Sequence, residues 1–306
     1  MIRYELAFWI RQKINLSILF WWRFSEIMNF SNQDLLNLAK ILEVSRQSQV
    51  DPIHKIYNTL KQDSWCRRAA DHSNPLCSAG RKIFSQSDED GISLEILKRL
   101  GLEKGEFLEM GVGNGTENNT LVLAALGWSG YWFGNQDLAI AVEGSRVSYV
   151  QGWITLENIM RKISGVCSLD TIDVVSVDLD GNDYYFIDLL LASGLCPKLF
   201  IAEYNAKFCP PIQFKIDYDP SHQWNGDDYF GASLSTLNDL FKGYGYKLIC
   251  CNAATGANAF FIKNEFDHLF RDVPEKVEDI YCPINYDLLS AFGHKTSRKT
   301  IEALIR

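Results

Sequence analysis

The sequence predicts an α/β protein with a doubly wound, mostly parallel seven-stranded sheet whose last strand is antiparallel, preceded by an N-terminal helical extension. From residue 107 onward, short apolar runs alternate with amphipathic helical segments, which is the pattern of parallel strands joined by crossover helices. The last two apolar runs are separated only by a short turn around Thr255 and Gly256, which predicts a closing antiparallel hairpin. Hydrophobic residues make up 47% of the 306 residues, so the chain can bury a full core.

The apolar periodicity places seven strands and four helices between them. The strands are predicted at residues 107–110, 130–133, 146–150, 172–179, 198–203, 246–251 and 258–263. The helices are predicted at residues 116–126, 155–163, 184–193 and 232–243. Upstream, a helix opens at Pro52 and runs toward Arg68, and a short amphipathic helix ends near Leu100. The basic tail from residue 294 onward is also predicted to be helical.

These elements divide the chain into three parts. We predict an N-terminal helical extension at residues 1–80, a main α/β domain at residues 81–270 and a partly helical C-terminal tail at residues 271–306. The formal net charge is −8, whereas a general nucleic-acid binder needs a basic surface for phosphates. We therefore expect no nucleic-acid partner.

Residues 1–30 are rich in aromatic and aliphatic side chains that recur at helical spacing. The longest uncharged apolar run, Ile14 to Trp22, is much shorter than the roughly 20 residues of a spanning helix. We expect this helix to pack on the domain or on a second subunit in a homodimer. The alternative is a peripheral membrane contact, in which the helix lies in the membrane interface.

The eight cysteines lie mostly in apolar contexts, and no Cys-x-x-Cys pair occurs. This pattern is typical of reduced core thiols, so we expect a cytoplasmic location, with membrane association only through residues 1–30. Cys66, His72 and Cys77 have the chemistry of zinc ligands. Because no second cysteine pair lies nearby in the sequence, we do not expect a zinc site there.

The most informative stretch is residues 106–120. Glu109 lies among apolar residues, and Gly111, Gly113 and Gly115 follow at alternate positions before an apolar run. This order predicts a buried strand, a tight glycine turn and a helix, with backbone that can approach a ligand closely. The alternative is a glycine turn that holds no ligand. The pattern resembles motif I of the class I S-adenosylmethionine (SAM)-dependent methyltransferases. A nicotinamide-dependent Rossmann enzyme is disfavoured, because its fingerprint needs the third glycine one residue later.

Acidic and amide side chains follow two further buried strands. Asp178, Asp180 and Asn182 follow one strand, and Glu203 and Asn205 end the next. Ligands of open α/β sheets bind outside the carboxyl ends of the strands, so we expect these side chains to meet at one edge. Clustered acids there are costly unless they bind cations or hydrogen-bond donors. The alternative is a set of solvated acids on surface loops.

Four segments together resemble the FkbM-type family of SAM-dependent methyltransferases, whose members act on sugars and natural products. The segments are Phe84–Ile92, Phe107–Thr120 with Gly127–Trp132, Asp173–Tyr185, and Glu203–Asn205 with Tyr229–Ser233. The resemblance spans about residues 82–263 and implies a class I methyltransferase (Rossmann-like) fold. It also implies SAM as the cofactor and methyl transfer to a hydroxyl of a sugar, nucleotide-sugar or glycan-type acceptor.

The resemblance implies that SAM lies across the carboxyl edge of strands one, two and three. The expected cofactor-binding residues are Gln86, Asp90, Gly91, Glu109, Gly111, Val112, Gly113, Gly115, Asn119, Asn135, Asp137 and Asp178. Class I enzymes usually end the second strand with an acid that binds the ribose, but Gly134 stands at that position here. Asn135, Asp137 or Glu143 are the substitutes within reach in the sequence. This departure keeps open an inactive scaffold of the same fold that acts through its N-terminal aromatic helix.

The polar and aromatic loop at residues 218–230 follows the fifth strand, where class I enzymes hold their substrate. Trp224 and Tyr229 can stack on a sugar face, and Asp227 and Asp228 can accept its hydroxyls. The expected substrate-binding residues are Asn182, Glu203, Asn205, Trp224, Asp228 and Tyr229. His222 is the best general-base candidate by its ordinary pKa, with a surface histidine as the alternative. The expected catalytic residues are therefore Asp178, Asp180 and His222.

A divalent cation such as Mg²⁺ is a further expectation at this edge. Catechol O-methyltransferase-like enzymes hold magnesium with an aspartate after strand four and an Asp-Asn pair after strand five. Asp178, Glu203 and Asn205 resemble this set, and their oxygens are the hard ligands that Mg²⁺ prefers. The alternative is that these acids hold the SAM amine and the substrate hydroxyls without a metal.

Overall fold

The computed structural model describes residues 52–285 and 294–305. The predicted helical extension before residue 52 lies outside the described residues, as does the predicted role of residues 1–30 in dimerisation or membrane contact. Within the described ranges, no helix has the length and apolar character needed to cross a membrane.

A single seven-stranded sheet organises the described chain, with the strand order β3-β2-β1-β4-β5-β7-β6. The strands are β1 Glu106–Met110, β2 Ser129–Gly134, β3 Val147–Gln151, β4 Ile172–Val177, β5 Leu199–Glu203, β6 Tyr246–Cys251 and β7 Asn258–Lys263. The five strands β1 to β5 pair in parallel, whereas β7 runs antiparallel to both β5 and β6. This order with an antiparallel β7 is the class I methyltransferase, Rossmann-like fold, so the predicted fold class is confirmed.

Helices connect and cover these strands. They are α1 Pro52–Asp71, α2 Glu89–Arg99, α3 Leu121–Ala125, α4 Ile159–Ser164, α5 Asp183–Ala192, α6 Leu234–Gly243, α7 Val277–Ile280 and α8 Arg298–Leu304. Short 3₁₀ helices occupy Pro75–Ala79, Leu169–Thr171 and Asn264–Leu269. The predicted helices at Pro52, before Leu100 and in the tail therefore form, and the predicted strands match the observed ones within two residues.

The central strands are buried on both faces, as their nearly continuous apolar sequences predict. In β4 every residue except the half-buried Asp173 is buried. Between β5, β7 and α6, Phe241 stacks on Phe261 with ring centroids 3.9 Å apart and meets Phe200 edge-on at 5.0 Å. Fully burying each such ring stabilises the fold by about 1.5–3 kcal/mol. This packing holds the carboxyl ends of the strands in fixed positions.

Two helices begin about one turn later than the sequence predicts. The helix predicted over residues 155–163 begins at Ile159, and the larger change is in α3. We expected a helix over residues 116–126, but α3 begins at Leu121. Glu109 accepts the backbone N–H groups of Asn119 and Thr120 at 2.9 and 3.1 Å, which holds the chain there in a turn. The Asn and Thr residues that suggested a helix start are used instead to bind the strand-end acid.

The N-terminal part of the described chain is tied to the far edge of the sheet. Arg68, in the last turn of α1, donates to the carbonyl oxygens of Ala253 and Pro283 at 2.7 and 2.5 Å. Asn74, beyond α1, donates from Nδ2 to the Ile249 carbonyl in β6 at 2.7 Å. These contacts fix α1 and the segment after it against β6 and the segment that follows α7.

Candidate functional site

The carboxyl ends of β1, β4 and β5 meet at one edge of the sheet. Gly111 follows β1, Asp178 follows β4, and Glu203 is the last residue of β5. The backbone joins the first two directly, because Asp178 N–H donates to the Met110 carbonyl at 3.1 Å. The sequence prediction that these strand ends lie together is therefore correct.

The glycine turn needs glycine for two different reasons. Gly111, Gly113 and Gly115 take φ values of +89°, +53° and +84°, in the left-handed region that favours glycine. A Cβ on Gly111 would lie 1.5 Å from the Asp178 carbonyl oxygen, so the backbones of the two loops touch there. A Cβ on Gly113 would meet no described atom within 4 Å. The turn thus packs tightly against β4 at its start and leaves open space above its centre.

Glu109, in β1, stabilises the segment that follows the glycine turn through hydrogen bonds. Its Oε1 accepts Asn119 N–H, and its Oε2 accepts the N–H and hydroxyl of Thr120 at 3.1 and 2.5 Å. Burial raises the pKa of Glu109 to about 7, although the hydrogen bonds from Thr120 and Asn119 oppose the shift. We predicted that Glu109 contacts the cofactor. Because both of its oxygens bind the chain's own turn, its role in the structure is to shape that turn.

Val112 and Asn119 also belong to the framework of the turn. Val112 is buried, and Asn119 donates from Nδ2 to the Ser176 hydroxyl at 3.1 Å as well as supplying its N–H to Glu109. Both residues lie at the turn, with their described contacts directed into the protein. Their contact with the cofactor stays a prediction.

Asp90 and Gly91, in the first turn of α2, hold the loop that precedes the helix. Asp90 Oδ2 accepts the N–H groups of three consecutive residues, Ile83, Phe84 and Ser85, at 2.6–2.9 Å. Its buried Oδ1 has no hydrogen-bond partner among the described residues. Burial raises the pKa of Asp90 to about 6, against these hydrogen bonds.

Gly91 is required by close packing at the start of α2. A Cβ there would lie 2.2 Å from the Ala79 carbonyl oxygen. Gln86 is exposed beside this loop, and its carbonyl accepts Lys82 Nζ at 3.0 Å. In the segment Phe84–Ile92, the unpaired Oδ1 of Asp90 and the exposed side chain of Gln86 are thus the polar groups that could contact a ligand.

The structure explains why the second strand ends in glycine. A Cβ on Gly134 would approach Val112 Cγ2 to 2.8 Å and the Tyr149 hydroxyl to 3.1 Å. Tyr149, from β3, fixes its ring by donating from that hydroxyl to the Gln136 carbonyl at 2.5 Å. The ring therefore occupies the space that an acidic side chain would need, and nothing in the sequence pattern pointed to Tyr149.

The predicted substitutes for the missing acid are at the surface. Asn135 and Asp137 are exposed after β2, and Asp137 accepts Gln151 Nε2 at 2.9 Å. Glu143, further along the same connection, is also exposed. Their role in binding a ribose stays a prediction.

An acidic cluster lies at the ends of β4 and β5. Asp178, Asp180 and Glu203 each present a carboxylate oxygen, and these oxygens lie within 4.8 Å of one another. Burial and mutual repulsion raise the pKa of Asp178 and of Glu203 well above their usual values, and the two carboxyls share a hydrogen bond. Glu203 Oε2 is buried and has no hydrogen-bond partner among the described residues. The cluster therefore favours a proton, a cation or a donor between its oxygens.

The loop that presents this cluster is held by Asp183, the next acid after Asp180 in the sequence. Asp183 Oδ1 accepts Leu179 N–H at 2.7 Å, and Oδ2 accepts Gly181 N–H at 3.0 Å. Between them, Asp180 adopts a φ of +52°. Such a conformation is uncommon outside glycine, and aspartate tolerates it better than most residues. A strained backbone that aims an acid into a cluster is typical of functional sites.

Asn205 is not part of this cluster, which corrects the predicted metal triad. Its Nδ2 donates to the carbonyls of Asp228 and Phe230 at 3.0 Å each, and its Oδ1 accepts Lys207 N–H at 3.2 Å. The side chain is fully buried and holds the loop at residues 228–230. Asp180 supplies the third oxygen of the acidic cluster, and the described contacts of the Asn205 amide are to the chain itself.

Asp228 is also a structural residue, contrary to the predicted substrate contact. Its Oδ1 accepts Ser297 N–H and the Thr300 hydroxyl, both at 2.7 Å, and its Oδ2 pairs with Lys207 Nζ at 2.5 Å. Burial raises the pKa of this carboxyl, but the hydrogen bonds from Lys207, Thr300 and Ser297 outweigh it and hold the pKa below its usual value. Asp228 thus anchors α8 to the loop after β5.

A cavity of about 420 Å³ lies between the loop after β5 and α8. It is lined by Asp217, Tyr218, Asp219, Pro220, His222, Tyr229, Lys299 and Glu302. The predicted residues His222 and Tyr229 are therefore brought together in one wall. The α8 residues Lys299 and Glu302 complete the cavity. In the sequence these two residues belong to a basic tail, and its composition does not indicate where the tail packs.

His222 connects the cavity to the acidic cluster. Its ring lies against Gly181, where an added Cβ would approach His222 Cδ2 to 2.3 Å. Its Nε2 is buried and has no hydrogen-bond partner among the described residues. Burial raises the pKa of Asp180, and the nearby imidazole of His222 opposes this shift. An unpaired ring nitrogen beside a carboxylate and a cavity can accept a proton from a bound hydroxyl group.

Two other predicted substrate residues support the loop. Asn182 exchanges hydrogen bonds with the backbone of Asp219, from Nδ2 to the carbonyl at 2.7 Å and from the N–H to Oδ1 at 3.3 Å. Trp224 is 41% exposed, donates from Nε1 to the Asp227 carbonyl at 2.7 Å and meets Phe230 edge-on. Asn182 positions the cavity wall, and Trp224 presents an aromatic surface to solvent.

Comparison with known proteins does not assign this chain to a family. No family model matches the chain, and no curated protein matches it. Among solved structures, it is similar to a precorrin-6y C5,15-methyltransferase from Geobacter metallireducens GS-15, with 12% identity and a TM-score of 0.36 over 60% of this chain and 93% of that chain. It is similar to cofactor-bound Rv0187 from MTB, with 14% identity and a TM-score of 0.38 over 74% of this chain and 96% of that chain. It is also similar to the METTL16 MTase domain, with 11% identity and a TM-score of 0.39 over 74% and 92% of the two chains. Likenesses this low carry no argument about activity, and the assignment to the class I methyltransferase fold rests on the sheet order.

Proposed function

We propose that this protein is a SAM-dependent O-methyltransferase that acts on a hydroxyl of a sugar, nucleotide-sugar or glycan-type acceptor. The observation that carries the proposal is the open glycine turn after β1, which lies at the same sheet edge as the Asp178–Asp180–Glu203 cluster. Backbone without side chains above Gly113 allows close approach of a ligand, and an acidic cluster with an unpaired oxygen on Glu203 favours a cationic one. SAM carries positive charge on its sulfonium and its amine, so it suits both features.

Different residues at the carboxyl edge of the sheet would contact different parts of SAM. The glycine turn offers open backbone, and Asp90 Oδ1 and Glu203 Oε2 are buried acceptors without described partners. When bound, SAM supplies a methyl group on a positively charged sulfur. The surrounding side chains hold the acceptor in line with it, and orientation of this kind accounts for a large share of catalysis in such transfers.

The acceptor would occupy the cavity between the loop at residues 217–229 and α8. Tyr229 lines this cavity, and Trp224, exposed on the same loop, offers a second aromatic surface for a sugar ring. His222 Nε2 would accept the proton of the acceptor hydroxyl during methyl transfer, which would leave S-adenosylhomocysteine as the second product. Asp180 lies next to the imidazole and stabilises the positive charge that it gains.

A divalent cation is the alternative occupant of the acidic cluster. Three hard carboxylate oxygens within 4.8 Å of one another, one of them unpaired, fit Mg²⁺. Bound there, it would lower the pKa of an acceptor hydroxyl. Activity that falls in EDTA and returns with Mg²⁺ supports the cation. Full activity in EDTA assigns the acids to the SAM amine and the acceptor hydroxyls.

The function can be tested by methyl transfer from labelled SAM to a panel of acceptors. The panel contains free sugars, nucleotide-sugars and short glycans, with simple phenols and amines as the comparison. We expect label on at least one carbohydrate and formation of S-adenosylhomocysteine in equal amount. Transfer to phenols or amines alone would remove the carbohydrate assignment while leaving methyl transfer intact.

An inactive scaffold of the same fold is the second candidate, favoured by Gly134 and the Tyr149 ring beside it. A scaffold can retain the glycine turn without binding SAM. Failure to bind S-adenosylhomocysteine, together with no transfer to any acceptor, would favour this reading. Binding of a nicotinamide dinucleotide in place of SAM would favour an oxidoreductase instead.

A further inference from the structure

Four side chains with soft or borderline ligand atoms converge at the edge of the sheet next to β6. They are His72 after α1, Cys77 in the 3₁₀ helix Pro75–Ala79, Cys250 in β6 and Cys282 after α7. We call these four residues the Cys/His cluster. None of them belongs to the glycine turn, the acidic cluster or the cavity described above.

The distances within the cluster suit a shared ion. One ring nitrogen of His72, Cys77 Sγ and Cys282 Sγ all lie within 4.8 Å of one another. Cys77 Sγ lies 3.9 Å from Cys250 Sγ. Two sulfurs that bind one tetrahedral zinc ion at about 2.3 Å each are separated by about 3.8 Å. His72, Cys77 and Cys282 are therefore close enough to share one ion, and Cys250 lies at zinc-site spacing from Cys77.

The three sulfurs also share a neighbour, the carbonyl oxygen of Cys251. Cys77, Cys250 and Cys282 all lie close to the Cys251 carbonyl oxygen, with Sγ to oxygen distances of 3.6, 3.2 and 3.5 Å. All three thiols are buried, whereas His72 is half-buried. The imidazole thus forms the side of the cluster nearest to solvent, which gives an ion a route of access.

We propose that the Cys/His cluster binds one structural Zn²⁺ ion. Three thiolates and one imidazole form a common four-coordinate set for structural zinc, and thiolates select zinc over hard cations such as Mg²⁺. In the sequence the four ligands are spread over more than two hundred positions and contain no Cys-x-x-Cys pair. The fold brings them together, which is why spacing arguments from Cys66, His72 and Cys77 failed to predict this site.

The charges around the cluster fit this assignment. Zn²⁺ with three thiolates and a neutral imidazole carries one net negative charge. Arg68 donates to the carbonyls of Ala253 and Pro283, the residue after Cys282, so its guanidinium lies beside the cluster and offsets that charge. Second-shell groups of this kind commonly tune structural metal sites.

His72 must change one contact to join the ion. Its Nδ1 accepts the Asn74 N–H at 3.1 Å, and its Nε2 lies 3.5 Å from the Tyr281 carbonyl. Metal binding replaces one of these contacts or turns the ring. We therefore expect His72 to contribute less to affinity than the three thiolates.

A zinc ion in this position would join four segments of the chain. It would tie the end of α1 and the following 3₁₀ helix to β6 and to the segment after α7, which Arg68 and Asn74 already hold together by hydrogen bonds. Because the ion binds only the folded arrangement, its binding free energy adds to folding stability.

The proposal can be tested on the full chain, expressed with zinc in the medium and purified without chelator. Elemental analysis should find about one zinc ion per chain in the wild-type protein. Cys77→Ser and Cys282→Ser should lose this zinc. Cys66→Ser, which removes an exposed thiol of α1 outside the cluster, should retain it. We expect His72→Ala to weaken zinc affinity about tenfold.

Two further measurements use only the folded wild-type protein and do not depend on the variants folding. Replacing zinc with Co²⁺ should give the intense thiolate-to-cobalt charge-transfer band of a tetrahedral site, which carboxylate ligands do not produce. Removing the metal with a chelator should lower Tm in the wild-type protein. Zinc-free protein with no such band, a disulfide between Cys77 and Cys250, copper in place of zinc, or Cys77→Ser that keeps its zinc would each overturn the proposal.

Discussion

At the scale of single residues, buried acids carry most of the information about this protein. Glu109 has the identity expected for a cofactor contact, yet both of its oxygens bind the turn that follows it. Residue type and position allowed Glu109 to be predicted as important. They could not separate contact with a ligand from support of the loop that contacts the ligand, because both need an acid at the end of β1.

We predict that Glu109→Gln destabilises the protein by about 1–3 kcal/mol, because the amide NH₂ cannot accept from Thr120 and a buried donor is left unpaired. Urea unfolding measures the change. Glu103→Gln, on an exposed position just before β1, is the matched control and should change stability by less than about 0.5 kcal/mol. Equal stability of the two variants would contradict the structural role of Glu109.

The same acids predict a pH dependence of stability. The folded-state pKa values of Glu109 and Asp90 rise to about 7 and about 6, and those of Asp178 and Glu203 also rise. The folded protein therefore binds more protons than the unfolded chain, so the free energy of unfolding falls as pH rises from about 4.5 to 7. Unfolding of ligand-free protein by urea at pH 5 and pH 7 tests this. A cationic ligand should reduce the fall. Stability that increases between these pH values would contradict it.

His222 is the residue whose replacement should separate chemistry from folding. We expect His222→Gln to lower the rate with any acceptor that the protein methylates by about 10²–10⁴-fold while binding of S-adenosylhomocysteine is retained. His268→Gln, an exposed histidine beyond β7, is the control and should keep full activity. A rate for His222→Gln within about twofold of the wild type would remove the general-base role.

At the scale of elements, the strands were predicted closely and the site loops less well. Each strand has a continuous or alternating apolar run that ends where the sheet ends, so its position follows from local sequence. The shortening of α3 follows instead from the long-range contact between Glu109 and Thr120. The substrate role expected of Asn205 and Asp228 failed for a similar reason, because both side chains are used to hold other segments in place.

The α8 helix is the element whose position the sequence indicated least. Asp228 holds it through Ser297 and Thr300, and α8 in turn supplies Lys299 and Glu302 to the cavity. We predict that Asp228→Asn loosens α8 and costs about 2 kcal/mol, since Lys207 and two further donors lose a charged acceptor. Hydrogen exchange at residues 298–304 should accelerate. Asp239→Asn, an exposed substitution in α6, is the control, and equal exchange in both variants would contradict the anchoring role.

At the scale of the whole molecule, the sheet order brings the carboxyl ends of β1, β4 and β5 to one edge, which is where open α/β sheets generally bind ligands. The fold class and the strand ends were predictable, because alternation of strands and helices leaves few topologies. The Cys/His cluster was not predictable, because its four residues come from distant segments that only the folded sheet edge brings together. The same limit applies to Tyr149, whose ring explains Gly134 only once β2 and β3 are paired.

The central claim is that the glycine turn binds SAM, and calorimetric titration with S-adenosylhomocysteine tests it most directly. Gly113 and Gly101 both have positive φ, and neither would bring a Cβ within 4 Å of a described atom. Gly113→Val and Gly101→Val therefore carry similar backbone strain, and only the first puts a side chain above the turn. The account predicts that the wild type and Gly101→Val bind one equivalent and that Gly113→Val, still folded, does not. Absence of binding to the wild type at millimolar ligand, or equal binding by both variants, would contradict it.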